Sequence, residues 1–204
     1  MKNKIIAVIG AGGKTTLIHR LAEEYRRKGA SVLVSTTTHM LVEPDTDLSC
    51  DSFAVMEKIK KTGYCMAGSV CPENSAKMQS LPEQMLHDLM KQVDYALIEA
   101  DGAKHYALKY PSPQEPVIPE GTTDVILVLG SWDLGKPCKD VVFRFEHMTS
   151  ALGISGDMKA DKQMLQWIWQ AYEEKLKNMD YQGHFHVLLS EKTDQGLMFH
   201  TLEE

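Results

Sequence analysis

The sequence has no long apolar run, no closely spaced cysteine pair and no excess of positive charge. A membrane-spanning helix needs about 18 apolar residues, but Lys14 ends the N-terminal apolar run and no small-residue cleavage site follows it. We therefore expect neither a membrane span nor a signal peptide. The 28 acidic residues outnumber the 22 basic ones, which argues against a nucleic-acid binder that neutralises many phosphates.

The four cysteines form no C-x-x-C pair. A chain of 204 residues does not depend on disulfides for stability, so we expect reduced thiols and a cytoplasmic location. Cys65 and Cys71 could bind a metal or selenium, although buried thiols without any ligand are much commoner.

Short apolar runs alternate with amphipathic patterns along the chain. This alternation predicts an α/β fold with an open, mostly parallel sheet and helices on both faces. The predicted strands are 5–9, 31–35, 95–98, 125–129 and 185–189, with 64–70 as a weaker candidate. The predicted helices are 15–28, 53–61, 83–93, about 141–152 and 159–177. The proline-rich segment 111–119 can be neither helix nor central strand, and we expect a rigid surface segment whose flanking charges face solvent. A wall for a second substrate or a partner surface is the alternative.

A glycine-rich segment lies between the first predicted strand and the first predicted helix. It consists of Gly10, Ala11, Gly12, Gly13, Lys14, Thr15 and Thr16. A dinucleotide-binding fingerprint would need a third glycine where Thr15 stands and an acid after the second strand, where 35–38 is Ser-Thr-Thr-Thr. Both requirements fail, so nicotinamide binding is not expected.

A phosphate-binding loop fits the same segment better. Glycines let backbone N–H groups converge on phosphate oxygens, Lys14 would reach the terminal phosphates, and Thr15 would bind Mg²⁺. The spacing from Gly10 is G-x-x-G-K-T, two residues shorter than the standard loop and similar to the loop of the Mur ligases. A tight strand-to-helix turn would explain the glycines but not the Lys-Thr-Thr behind them.

Polar residues follow the other predicted strands at the edge where ligands bind in a parallel sheet. Glu99 and Asp101 come directly after an apolar strand, in the Walker B pattern, and lie on one side of an extended chain. We expect Asp101 to hold Mg²⁺ and Glu99 to ligate the metal or to position water. The hydroxyls of Thr37 and Thr38 could contact Mg²⁺ or the γ-phosphate, or could simply cap a strand.

The segment 190–194, Ser-Glu-Lys-Thr-Asp, follows the last predicted strand. It is similar to the N-K-x-D element of GTP-binding proteins, in which the aspartate recognises guanine. Lys192 and Asp194 are therefore candidate base-binding residues. Glu191 stands where asparagine is usual, so the choice between ATP and GTP stays open, and an exposed charged loop is an equal alternative.

Together these motifs resemble the YqeC family. The resemblance covers most of the chain and rests on 10–16, 35–40, 99–103, 108–111 and 115–119. It implies a cytoplasmic P-loop NTPase-like three-layer sandwich, formed here by a single nucleotide-binding domain over 1–204. It also implies a part in selenium cofactor biosynthesis, as an accessory protein of selenium-dependent molybdenum hydroxylases. Its partner would then be a selenium- or molybdopterin-related small molecule or a molybdenum hydroxylase.

These patterns favour a Mg²⁺-dependent protein that binds ATP or GTP and hydrolyses it or transfers a phosphoryl group. The predicted catalytic residues are Lys14, Glu99 and Asp101. One alternative is a small-molecule kinase or an ATP-dependent ligase. Another, from a different class, is a nucleotide-gated chaperone or carrier without significant turnover.

Overall fold

The computed structural model of the protein describes residues 3–202. The fold is α/β, with a mostly parallel seven-stranded sheet flanked by helices, as the sequence predicts. The strands are β1 Lys4–Gly10, β2 Val32–Thr36, β3 His39–Leu41, β4 Tyr64–Met66, β5 Ser69–Val70, β6 Lys77–Gln79, β7 Tyr95–Glu99, β8 Leu108–Lys109, β9 Asp124–Gly130, β10 Val142–Phe143, β11 His184–Thr193 and β12 Gly196–Thr201. The helices are α1 Lys14–Arg27, α2 Ser52–Thr62, α3 Glu83–Lys91, α4 Cys138–Val141, α5 Phe145–Leu152 and α6 Lys162–Asn178.

The strand order of the large sheet is β12-β11-β9-β1-β7-β2-β4. By packing, the chain divides into two compact units: the first comprises 1–8, 15–102 and 117–124, and the second comprises 9–14, 103–116 and 125–204. The single domain over 1–204 stays a prediction. None of the helices within 3–202 is both long enough and apolar enough to cross a membrane.

In the first unit, the parallel strands are apolar because both faces of the sheet are covered. All five residues of β2 are buried, and β7 pairs in parallel with both β1 and β2. Leu33, Ala96 and Ile98 pack in one cluster with Ile59 of α2 and Leu89 of α3. The register places Glu99 opposite both Val8 and Thr36, so the carboxyl ends of β7 and β2 lie side by side.

The first unit also contains a small antiparallel sheet in the order β3-β6-β5. The sequence predicts one strand over 64–70, but the structure has two strands there, β4 in the large sheet and β5 in the small one. Gly68 lies between them, where a Cβ atom would approach the carbonyl oxygen of Gln79 to 2.9 Å. The chain can change sheets here because glycine tolerates that approach.

In the second unit, β11 and β12 form an antiparallel hairpin, and β11 runs to Thr193 rather than ending at 189 as the sequence predicts. The predicted helix over about 141–152 is confirmed only in its second part, α5. It is α4, β10 and α5 in succession, because Val142 and Phe143 pair in parallel with Leu108 and Lys109. Arg144, at φ 64°, has the left-handed conformation that separates β10 from α5.

The proline-rich segment 111–119 contains neither helix nor strand, as predicted. It is not simply a surface segment, however, because Pro111, Ser112 and Pro116 are buried. The expectation that its flanking charges face solvent is also wrong for Lys109, which is completely buried.

Candidate functional site

In the glycine loop, residues 10–13, backbone conformation and packing require glycine at two positions. Gly10 and Gly12 have φ angles of 87° and 90°, in the region that favours glycine. A Cβ on Gly12 would lie 2.5 Å from the backbone nitrogen of Gly130, and one on Gly10 would lie 2.4 Å from the carbonyl oxygen of Val128. Close packing against β9 therefore requires both residues, so their presence alone does not indicate phosphate binding.

Polar contacts within the second unit hold the glycine loop in place. The Ala11 N–H donates to the carbonyl of Val128 at 2.9 Å, and the Ser190 hydroxyl donates to the carbonyl of Gly12 at 2.5 Å. Ser190 is completely buried. Its role in fixing the loop could not be predicted, because it lies 178 positions away in sequence.

Lys14 is the first residue of α1 and is only 5% exposed. Its ammonium donates to the carbonyl of Gly10 at 2.7 Å, so the side chain folds back over the loop that precedes it. A packed turn does not require a cation in this place, whereas a lysine at a helix N-terminus can neutralise phosphate oxygens. Lys14 therefore carries the phosphate-binding argument that the glycines alone do not.

In the first unit, Thr15 and Glu99 are brought together from 84 positions apart. The Thr15 hydroxyl donates to Glu99 Oε2 at 2.9 Å. Glu99 is 7% exposed, and Asp101, two residues further on, is completely buried. A hydroxyl and two carboxylates, all hard oxygen donors, are the ligand types that suit Mg²⁺.

The threonines after β2 also belong to the first unit, and they make local contacts. Thr37 Oγ1 donates to the carbonyl of Val117 at 2.7 Å, and the Thr38 N–H donates to Thr36 Oγ1 at 3.0 Å. Thr36, completely buried, contacts the acidic strand end by donating to the Glu99 carbonyl at 2.8 Å, and the Thr37 N–H donates to the same carbonyl at 3.1 Å. Thr37 and Thr38 thus shape this strand end from next to Thr36. Thr16 is a half-buried residue of α1.

Lys192 and Asp194 lie on the β11–β12 hairpin of the second unit. Lys192 is opposite Leu197 in register, and the space beside Gly13 is filled by Leu197, which a Cβ there would approach to 2.5 Å. The Lys192 ammonium lies 4.6 Å from the centre of the Trp132 ring. Asp194 is exposed in the turn between the two strands. The hairpin as a whole thus packs beside the glycine loop.

A charged cluster around the buried Lys109 in the second unit, completed by the half-buried Glu115 and Arg144, was not predicted as a unit. Glu115 Oε2 lies 2.9 Å from the Lys109 ammonium and 3.0 Å from the Arg144 guanidinium. Lys109 ends the short strand β8 and Glu115 lies in the proline-rich segment, so sequence proximity hinted at the first pair. Arg144 comes from a distant turn and gives no such signal.

The fold defines an α/β protein whose architecture is consistent with a P-loop NTPase-like sandwich. The model of the YqeC family, described as "YqeC protein", matches residues 6–146, more than two thirds of the chain. The chain therefore belongs to the YqeC family, as the motifs predict.

One curated relative is a protein of Escherichia coli (strain K12) named "Uncharacterized protein YqeC". It is 33% identical over 161 residues, which is 75% of this chain and 62% of that protein. The chain thus spans less than two thirds of the length of the curated relative that it matches. No solved structure is significantly similar to the chain.

Proposed function

We propose that this protein binds a magnesium complex of ATP or GTP through Lys14, Thr15, Glu99 and Asp101, and hydrolyses it. The observation that carries the proposal is the 2.9 Å hydrogen bond from Thr15 to Glu99, directly beside the buried Lys14 in sequence. A strand-to-helix turn and a Walker B strand end would not need to place a hydroxyl against a carboxylate. A cation bound by both Thr15 and Glu99 would explain why these two side chains lie together.

The residues present fit Mg²⁺. Thr15 and Asp101 would hold the ion, which would supply charge neutralisation for the phosphates when bound. Lys14 would neutralise the terminal phosphate oxygens as a point charge, and the helix N-terminus that it opens favours anions. Glu99 would orient the attacking water by accepting a hydrogen bond from it. These roles need no displacement of the buried strand core.

Family membership supports placing this chemistry in the maturation of selenium-dependent molybdenum hydroxylases. In that role the nucleotide would be consumed while a selenium- or molybdopterin-related molecule, or the hydroxylase itself, is the partner. We propose that this reaction takes place in the cytoplasm, where free thiols persist. The described cysteines form no disulfide, which is compatible with such a compartment.

Phosphate release by the full chain tests the proposal. We expect Mg²⁺-dependent release from ATP or GTP by the parent protein and a large loss in Asp101→Asn, which keeps the shape of the side chain and removes its charge. Asp88→Asn is the matched control, because Asp88 is an exposed aspartate of α3. Equal release by parent and Asp101→Asn would contradict the proposal.

Candidate acceptors added to the same assay separate hydrolysis from the other possible reactions. A rate that is the same with and without an acceptor supports hydrolysis. A rate that appears only with an acceptor would replace hydrolysis by kinase or ligase chemistry. Tight nucleotide binding without turnover would replace it by a carrier.

A further inference from the structure

Three side chains of different chemical types converge in the first unit, outside the Thr15–Glu99 contact. The donor atoms of His39, Cys71 and Glu73 all lie within 4.8 Å of one another. Cys71 is 3% exposed, whereas His39 and Glu73 are exposed. We call these residues the His39–Cys71–Glu73 cluster.

The small antiparallel sheet brings the cluster together. His39 opens β3 and Cys71 directly follows β5, and both strands pair with the same central strand, β6. Met78 of β6, completely buried, anchors that strand beneath the two edges. Two strands that are far apart along the chain therefore present a histidine and a cysteine near each other.

A tight turn sets the spacing of the other two donors. The Asn74 N–H donates to the Cys71 carbonyl at 3.2 Å, which closes a turn with Pro72 at its second position. Proline there fixes the backbone angle before Glu73. The Cys71 thiol and Glu73 Oε2 are consequently 3.4 Å apart.

We propose that the His39–Cys71–Glu73 cluster binds a thiophilic divalent cation of the Zn²⁺ class. Imidazole nitrogen, thiolate sulfur and carboxylate oxygen are the three ligand types of protein zinc sites. Zn–S and Zn–O bonds of about 2.3 and 2.1 Å in a tetrahedron put sulfur and oxygen about 3.6 Å apart. The 3.4 Å separation of Cys71 and Glu73 already matches that edge. The donor nitrogen of the exposed His39 ring lies within 4.8 Å of both atoms and would be the third ligand.

The sulfur ligand separates this site from the proposed Mg²⁺ site. Mg²⁺ prefers oxygen ligands, whereas thiolate selects softer ions. Three protein ligands leave a fourth tetrahedral position, the arrangement of zinc sites that bind water or a substrate group. The exposure of His39 and Glu73 leaves that position open to solvent.

The other two cysteines of the first unit, Cys50 and Cys65, lie outside the cluster. Burial raises the pKa of the Cys65 thiol to about 11, so at neutral pH Cys65 stays protonated, the form that does not bind metal. Cys50 is exposed, and its sulfur lies 3.2 Å from the Ser69 hydroxyl. Cys50 is therefore a matched control for loss of a thiol close to the same small sheet.

Zinc binding by the full chain, measured by dialysis and metal analysis, tests the site. We expect the parent to retain one Zn²⁺ per chain, and Cys71→Ser and His39→Ala to bind it about tenfold or more weakly, since each loses one of three ligands. Cys50→Ser should behave as the parent. His184→Ala should also do so, and it controls for binding at the neighbouring rings of His184 and His186, 6.3 Å apart on β11.

Cobalt substitution reports directly whether a thiolate ligates the metal. Co²⁺ bound to the parent and to Cys50→Ser should show thiolate-to-metal charge-transfer absorption, and Cys71→Ser should lack it. Because Glu73 is exposed, the Glu73→Gln variant should fold as the parent does and still bind Zn²⁺ more weakly. Parental zinc affinity in Cys71→Ser, or no retained zinc in the parent, would overturn the proposal. Loss of zinc in His184→Ala alone would do the same.

Discussion

Glu99 in the first unit and Glu115 in the second are both carboxylates withdrawn from solvent, and they contact side chains of different kinds. Glu99 accepts a hydrogen bond from the Thr15 hydroxyl at 2.9 Å. Glu115 lies within 3.0 Å of two cations, Lys109 and Arg144. A hydroxyl can turn its oxygen towards an incoming cation, because the same atom donates and accepts. Lysine and arginine can only donate, so the carboxylate that they contact has a structural role.

The difference assigns separate roles to the two carboxylates. Glu99 ends a strand beside Thr36 and two positions before the buried Asp101, where a ligand could join it. Glu115 ties the proline-rich segment to β8 and to the turn before α5. Substitution at Glu115 should therefore change stability, and substitution around Glu99 should change nucleotide chemistry.

The largest effect is expected at Glu115. Glu115→Gln removes the negative charge facing the completely buried Lys109, and an uncompensated buried charge costs about 3–5 kcal/mol of unfolding free energy. Denaturant unfolding measures this loss. Glu57→Gln is the control, because Glu57 is exposed and paired with the exposed Lys60, and such pairs contribute about 0–1 kcal/mol. Equal losses of unfolding free energy in the two variants would contradict the structural role of Glu115.

The next effect is expected at Asp101. Asp101→Asn should lower steady-state turnover about 100-fold, or about 2.7 kcal/mol in activation free energy, because it removes a charge from the proposed metal ligands. Nucleotide binding without metal should change much less. Turnover at several Mg²⁺ concentrations measures both properties. Parental turnover with parental Mg²⁺ dependence would mean that the acids only form a turn.

A smaller effect is expected at Lys14. Lys14→Ala should weaken ATP and GTP binding by about tenfold or more, because a charge-assisted contact contributes roughly 1.5–3 kcal/mol. Calorimetric titration measures the affinity. Lys28→Ala is a matched control, since Lys28 is exposed directly after α1. Unchanged affinity in Lys14→Ala would reject the phosphate-binding loop.

The smallest effect concerns the base. If Asp194 accepts two N–H bonds from guanine, the protein prefers GTP, and Asp194→Asn shifts the preference towards xanthosine triphosphate. Glu191 opposes this, because a carboxylate near the purine disfavours the O6 and N7 acceptors of guanine. Competition of ATP, GTP and xanthosine triphosphate against a fluorescent analogue measures the preference. Indifference of Asp194→Asn to all of them would place base recognition elsewhere.

Local patterns in the sequence predicted most of the sheet and two residues of the proposed site. The apolar runs predicted the buried strands around Val8 and Ile98, and the period of 15–28 predicted α1, because burial on two faces and on one face leave different patterns. The same local patterns identified Lys14 at the start of α1 and Glu99 at the end of β7.

Long-range pairing accounts for what the sequence did not reveal. The segment 141–152 has helical periodicity, but strand pairing with Leu108 and Lys109 overrides it at Val142. The contact of Ser190 with Gly12 and the convergence of His39 with Cys71 depend on tertiary packing. No pattern within a single segment encodes such contacts.

Hydrogen exchange of the glycine loop tests the central claim, that this loop binds the phosphates of a magnesium nucleotide, most directly. Addition of Mg²⁺ with ATP or GTP should slow amide exchange in the peptide that covers 10–16, because its N–H groups would become donors to phosphate. The same nucleotide should give little protection in Lys14→Ala and parental protection in Lys28→Ala. Unchanged exchange over 10–16 at a saturating concentration of both nucleotides would contradict the account.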